Sequence, residues 1–188
     1  MNLPNKLTLL RIILVPLFVF FLLVNAIPFN YLWALLVFIG ASITDFFDGY
    51  YARKHNMITD FGKFADPLAD KILVISAFCS FIQLGIIGAV PVIIVLFREF
   101  AVTSVRLIAA TKGTVVAANM WGKAKTVSQM VAIIGTIFFK FLVQLGLTVA
   151  EPIFNNVIMV FIWVSVLLTI ISGIVYLVDN ADVYKNCK

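Results

Sequence analysis

The sequence predicts an all-α, polytopic membrane protein with six transmembrane helices and both termini in the cytoplasm, and three observations predict it. First, the 188 residues are 63% hydrophobic and 12% charged, against roughly 45–50% and 25% in soluble domains, and the mean hydropathy is +1.10. Second, six apolar runs are long enough to cross a hydrocarbon core of about 30 Å, which takes roughly 20 helical residues. Third, the cations gather on one side of the bundle those runs would form. A water-soluble globule is excluded, and residues 1–188 read as a single membrane domain with too little polar sequence left for a second.

The first run, about 7–27, is too long for the apolar core of a cleavable signal and lacks a small-residue cleavage site, so a retained span is predicted. Pro28 separates it from the second run, about 31–52, whose end carries Asp45, Asp48 and Arg53. The third, about 64–85, opens in Asp66 and Asp70, with Thr59 and Asp60 marking a helix start. Turn residues from Gly85 to Pro91 lead into the fourth, about 88–110, which holds Arg98, Glu99 and Arg106 in its interior. The stretch Thr111 to Met120 precedes the fifth, about 124–147, and Glu151-Pro152 precedes the sixth, about 153–178. Cys79 and Cys187 have neither a disulfide-framework nor a metal-finger spacing.

Of the 14 Lys and Arg residues, all but Lys140 fall at the termini or around the second and fourth connections. The first and third connections carry no charge. The positive-inside rule therefore puts both termini and the even-numbered connections in the cytoplasm, and the net charge of +5 reads as topology rather than nucleic-acid binding.

Five of the nine acidic residues lie between Asp45 and Asp70. With a rise of about 1.5 Å per residue, Asp45 lies roughly 12 Å inside the end of the second span, where an unpaired carboxylate is expensive. Asp45 and Asp48 are spaced i, i+3, and Asp66 and Asp70 i, i+4, so each pair shares a helix face. A short connection makes the two spans antiparallel neighbours whose cytoplasmic ends face four carboxylates into one cavity. Hard divalent cations bound by oxygen, Mg²⁺ or Mn²⁺, would neutralise them, either as one ion or as two roughly 3.5–4 Å apart. His55, the only histidine, reads as a solvated residue beside Lys54. Gly49 and Gly62 admit close approach of a ligand to the backbone, Ala52 keeps the same face shallow, and Arg53 can pair with phosphate. A bland alternative has these aspartates capping helices or pairing with Arg53, Lys63 and Lys71. It suits Asp60 better than it suits four carboxylates inside a membrane. A cation transporter built on the same acids is a third reading, though acids confined near one face do not form a path across.

Asp45-Phe-Phe-Asp48-Gly49-Tyr-Tyr-Ala52-Arg53, followed by Gly62, Asp66 and Asp70, resembles the signature of the CDP-alcohol phosphatidyltransferases, with all eight specified positions present across 26 residues. The resemblance implies transfer of a phosphatidyl group from CDP-diacylglycerol to a hydroxyl, with release of CMP. It implies two metal ions held by Asp45, Asp48, Asp66 and Asp70, with Asp70 also the general base. By the same resemblance Asp48, Gly49, Ala52, Arg53 and Gly62 line the CDP site, the active site faces the cytoplasmic side of the cell membrane, and the enzyme is a homodimer among membrane lipids.

The acceptor is read from a second set of residues. A neutral or zwitterionic alcohol such as inositol or serine needs no cation cluster, whereas sn-glycerol 3-phosphate brings a dianion. Glu99, Thr103 and Arg106 are spaced i, i+4, i+7, with Arg98 beside them, and Lys123, Lys125 and Thr126 open the fifth span. Thr8 and Arg11 add polar groups on the same membrane side. Thr8, Arg11, Arg98, Arg106, Lys123 and Lys125 are therefore the candidate acceptor-phosphate residues, with Glu99 orienting a cation. These segments look like those of the family branch that uses glycerol 3-phosphate. Phosphatidylserine and cardiolipin synthesis stand as alternatives within the family, and interfacial anchoring by Lys123 and Lys125, or a structural Arg98–Glu99 ion pair, is the competing account of the cations.

Overall fold

The computed structural model describes the backbone of residues 3–54, 60–111 and 119–181, and within them the side chains of residues 9–44, 68–69, 71–110 and 119–181. Six helices and no strand occur among the described residues: α1 (Leu3–Leu23), α2 (Asn30–Lys54), α3 (Asp60–Gln83), α4 (Ala89–Thr111), α5 (Met120–Gln144) and α6 (Glu151–Asp179), with a 3-10 turn at Thr148–Ala150 before the last. Each apolar run has become one helix. The largest displacement is in the first, read as 7–27 but ending at Leu23, where Asn30 Nδ2 reaches back to the Leu22 carbonyl at 3.5 Å. Phe29 takes a positive φ of 55° where the chain reverses into α2. Among the described residues α3 begins with Asp60, and Thr59, read with it as a helix start, lies outside them.

Two connections end in the same device. After α3, the Ile86 amide bonds the Phe81 carbonyl at 2.9 Å across Gly85 at φ 68°. After α5, the Leu147 amide bonds the Leu142 carbonyl at 3.2 Å across Gly146 at φ 102°. Both are six-to-one closures that need a left-handed residue just past the helix end, the position glycine occupies at least cost. At this same end of the bundle, Asn30 Oδ1 accepts from Gln144 Nε2 at 3.0 Å, and Lys140 donates to Glu151 at 3.4 Å and to Asn155 at 3.1 Å.

The helices α5 and α6, the latter together with its preceding turn, are each long and apolar enough to cross a bilayer. The stretches Leu9–Leu23, Asn30–Thr44 and Lys71–Gln83 are apolar but shorter among the described residues. α4 interrupts its apolar sequence with Arg98, Glu99 and Arg106. Packing joins α1 to α2 and α3, α5 to α2 and α6, and α4 to α6. The buried core runs from Phe18 and Leu22 through Phe38, Phe78 and Phe81 to Ile133, Ile137, Ile158 and Ile162, with Ala34, Ala41, Ala77 and Ala132 allowing close helix approach. In a bilayer such contacts act through packing, since lipid tails are as apolar as the core. Large apolar side chains also face outward, among them Phe97, Phe100 and Leu107 on α4.

Close approach of α5 and α6 is sharpest at Gly135, where a Cβ would lie 3.1 Å from Phe161 Cδ2 and 3.2 Å from Cε2. Gly135→Ala must displace that ring, and overpacking of this kind costs about 1–3 kcal/mol. A lowered thermal midpoint in detergent is the expected result. An unchanged midpoint would show that the ring yields freely.

Candidate active site

On the cation side of the bundle, α3, α4, α5 and α6 enclose a cavity of about 550 Å³. Its polar lining comprises Lys71, Arg98, Glu99, Arg106, Asn119, Lys123, Lys125, Thr126, Gln129 and Tyr176. Five of these are cations and one is a carboxylate, so the cavity lining carries a net positive charge with an internal counter-ion.

Glu99 organises it. Its Oε1 accepts from Lys125 Nζ at 2.5 Å and from Arg98 Nη1 at 3.0 Å, and its Oε2 lies 3.9 Å from Lys71 Nζ. Lys71 also bonds Thr103 Oγ1, whose hydroxyl donates to the Glu99 carbonyl at 2.7 Å. This local back-bond satisfies a hydroxyl at i, i+4 and aims Thr103 along the same face. Glu99 and Lys125 are both buried, at 8% and 6% exposure, so neither is a snorkelling anchor. The Arg98–Glu99 ion pair read as a structural alternative exists, and it also forms part of the cavity wall.

The remaining cations are held from α6. Arg98 Nη2 donates to Ser172 Oγ at 2.7 Å. Arg106 Nε donates to the Tyr176 hydroxyl at 3.2 Å, with its guanidinium carbon 5.5 Å from that ring's centroid. Asn119 caps α5, its Oδ1 accepting from the Gly122 amide at 2.9 Å. Gln129 donates to Thr169 Oγ1 at 3.2 Å. Two buried donors in this region, Arg98 Nε and Asn119 Nδ2, have no hydrogen-bond partner among the described residues. Unsatisfied buried donors are costly, and both are suited to an oxyanion.

Arg98, Arg106, Lys123 and Lys125, read from sequence as acceptor-phosphate residues, are thus brought together around one cavity. Arg106 and Lys123 are the exposed members, Lys125 is buried and Arg98 lies between. Arg11 is fully buried on α1 and does not line this cavity, and the side chain of Thr8 lies outside the described residues. Sequence reasoning missed Asn119, Gln129, Ser172 and Tyr176, and it took Lys71 as a topological charge or a partner for the aspartates, not as part of an acceptor pocket. A signal existed for three of them: Asn119 precedes a helix at its N-cap, and Ser172 and Tyr176 continue a helical period begun by Ser165 and Thr169 in an aliphatic run.

Asp45 and Asp48 sit on α2, and Asp66 and Asp70 on α3, with their side chains outside the described residues, as are those of Gly49, Ala52, Arg53 and Gly62. Both helices run unbroken through these positions, so the i, i+3 and i, i+4 spacings each correspond to one helical turn. A donor set made only of carboxylate oxygens fits a hard divalent cation. Among the described residues no other group of three or more His, Cys, Asp or Glu could hold a metal. Lys71, at the cavity wall, is the next residue on α3 after Asp70.

Comparison with known proteins bears on this arrangement. The sequence profile of the CDP-alcohol phosphatidyltransferases matches residues 1–171. The CDP-diacylglycerol–glycerol-3-phosphate 3-phosphatidyltransferase of Bacillus subtilis strain 168 is 42% identical over an alignment covering 98% of this chain and 97% of the relative. The proteins of the same name from Rickettsia bellii and Rickettsia typhi are 35% and 36% identical, over the whole of this chain and 96% and 97% of theirs.

Proposed function

The chain belongs to the CDP-alcohol phosphatidyltransferase family, and from that premise we propose that it transfers the phosphatidyl group of CDP-diacylglycerol to sn-glycerol 3-phosphate, giving phosphatidylglycerophosphate and CMP. The observation that carries the choice of acceptor is the cavity in which Lys71, Arg98, Arg106, Lys123 and Lys125 surround Glu99, beginning one residue from Asp70. Inositol or serine would leave that concentration of positive charge without a purpose, whereas a phosphate dianion supplies its complement.

Residues 1–188 act in this reading as one multi-pass domain of the cell membrane, with six spans, cytoplasmic termini and the active site at the cytoplasmic side. The one-sided distribution of Lys and Arg supports that orientation. The family generally depends on a divalent metal. Asp45, Asp48, Asp66 and Asp70 would hold it, as Mg²⁺ or Mn²⁺ and by the family pattern as two ions. The chemistry supplied when it is bound is neutralisation of the diphosphate and of the charge developing on the CMP leaving group. Asp48, Gly49, Ala52, Arg53 and Gly62 take the CDP moiety, while the diacyl chains stay in the bilayer. The family pattern also makes the enzyme a homodimer.

Within this site the chain's own residues do three things. The cation cavity binds the acceptor's phosphate and so fixes where its hydroxyl can reach. Asp70 accepts the hydroxyl proton as that oxygen attacks the lipid-linked phosphorus. A phosphorus–oxygen bond to the acceptor forms, the bond between the two phosphates breaks, and CMP leaves with the electron pair. Positioning and electrostatics supply most of the rate, as phosphoryl transfer requires little covalent participation by the protein.

Purified protein given CDP-diacylglycerol, Mg²⁺ or Mn²⁺ and separate alcohols should release CMP and form lipid with sn-glycerol 3-phosphate. Product only with serine, inositol or phosphatidylglycerol overturns the assignment. Arg106→Ala should raise the apparent KM for glycerol 3-phosphate by about tenfold or more, the worth of one charged hydrogen bond, while leaving that for CDP-diacylglycerol within about twofold. Equal changes in both would remove Arg106 from the acceptor pocket.

A further inference from the structure

We propose that an uncharged surface of α6, made by Ser172, Gly173 and Tyr176, is a specificity-determining element of this enzyme: it sets the direction in which Arg98 and Arg106 present their guanidinium groups to the acceptor's phosphate. The inference rests on the reading of the cation cavity as the acceptor site.

An arginine side chain has several rotatable bonds, and its planar fork selects phosphate only when held in one orientation. Both arginines start on α4, yet what holds them comes from α6. Ser172 Oγ accepts from Arg98 Nη2 at 2.7 Å, on the guanidinium whose Nη1 is bonded to Glu99 at 3.0 Å. These two bonds fix both ends of the fork, and the buried Nε has no partner among the described residues. The stem of Arg98 lies directly on the α6 backbone: a Cβ at Gly173 would be 3.0 Å from Arg98 Cγ and 3.8 Å from its Cβ. A methyl group there must push the stem aside near its base, and that displacement is amplified along the remaining bonds to the guanidinium.

Tyr176 does the same for Arg106 by other means. Its hydroxyl accepts from Nε at 3.2 Å, and its ring lies 5.5 Å beneath the guanidinium carbon, within cation–π range. Among the described residues no hydrogen bond engages the two terminal nitrogens of Arg106. Binding the fork through Nε and the ring leaves those nitrogens for an anion. Ser172 and Tyr176 are both essentially inaccessible, at 0% and 1% exposure, so neither is a surface contact of the bundle. They are positioning residues, acting on phosphate only through the arginines.

The test compares wild type with Ser172→Ala, Gly173→Ala and Tyr176→Phe. The readouts are KM for sn-glycerol 3-phosphate, KM for CDP-diacylglycerol, and protection against thermal unfolding by inorganic phosphate, which needs no turnover. Each variant should raise the glycerol 3-phosphate KM by about tenfold and weaken protection by phosphate to a similar degree, with the CDP-diacylglycerol KM within about twofold. Ser172→Ala placed in an Arg98→Ala background should add almost nothing, because its effect passes through that arginine. The proposal is overturned if the variants lower thermal stability while leaving both KM values unchanged, if both KM values rise together, or if Ser172→Ala costs as much without Arg98 as with it. Should the wild type use another alcohol, the acceptor assignment fails by itself. Phosphate protection, strong in the wild type and weak in the variants, then still supports the positioning role, and its absence in the wild type refutes it.

Discussion

Asp70→Asn should lower CMP release by roughly 10²- to 10⁴-fold, the contribution expected of the proposed general base, with loss of a proposed metal-binding oxygen adding to the effect. The substitution keeps the size of the side chain but removes its ability to take a proton. Asp60→Asn is the matched control. Asp60 begins the same helix α3, is no part of the signature, and its replacement should leave turnover within about threefold of wild type, as expected for an ordinary exchange outside a site. Chelation should stop the reaction in both proteins, and adding back Mg²⁺ or Mn²⁺ should restore near-wild-type turnover only in the Asp60 variant. CMP release measured under saturating substrates decides the matter. Normal turnover by Asp70→Asn would eliminate it as the base.

The second large effect is on stability. Glu99→Gln leaves Lys125, Arg98 and Lys71 gathered around a group that no longer carries charge. Removing one partner from a buried ion pair costs about 3–5 kcal/mol, because the remaining charge keeps its desolvation penalty. For a chain of this size that corresponds to a fall in thermal midpoint of roughly 10 °C. The same change makes the cavity more hospitable to a second anion, so sn-glycerol 3-phosphate should restore part of the lost stability and should stabilise the variant more than it stabilises wild type. Thermal unfolding in detergent with and without the acceptor provides the comparison. A midpoint equal to that of wild type, or one indifferent to the acceptor, would show that Glu99 is not the counter-ion of this cavity.

The two halves of the site were legible in the sequence to different degrees. Carboxylates inside an apolar run are conspicuous, and the spacing of Asp45, Asp48, Asp66 and Asp70 converts directly to helical turns. Glu99, Thr103 and Arg106 showed the same periodicity, and the structure joins Glu99 to Lys125 across 26 residues of sequence. What could not be read was the pairing of α4 with α6. The bonds from Arg98 to Ser172 and from Arg106 to Tyr176 cross 74 and 70 residues, between helices with no pattern that announces their contact. The hydroxyl stripe on α6 was visible but ambiguous, since Ser165 and Thr169 spend their protons on their own helix, on the carbonyls of Ile162 and Ser165. Helix ends were misread for a related reason. Hydropathy tells which residues sit in lipid, whereas α1 stops where the side chain of Asn30 takes up its Leu22 carbonyl.

The end of the bundle away from the cation cavity has a mechanical meaning. Two glycine closures, the tie from Gln144 to Asn30 and the Lys140–Glu151 ion pair hold the helix tips there, while the charges of the cavity lie toward the opposite ends. In a frame tied at one end, displacement grows with distance from the tie: Glu99 stands ten residues along α4 from Ala89, about 15 Å at the helical rise, so a difference in tilt of about 5° corresponds to roughly 1.3 Å at that residue. The spacing of the charges around the cavity is therefore set partly by turns and caps that lie well outside it.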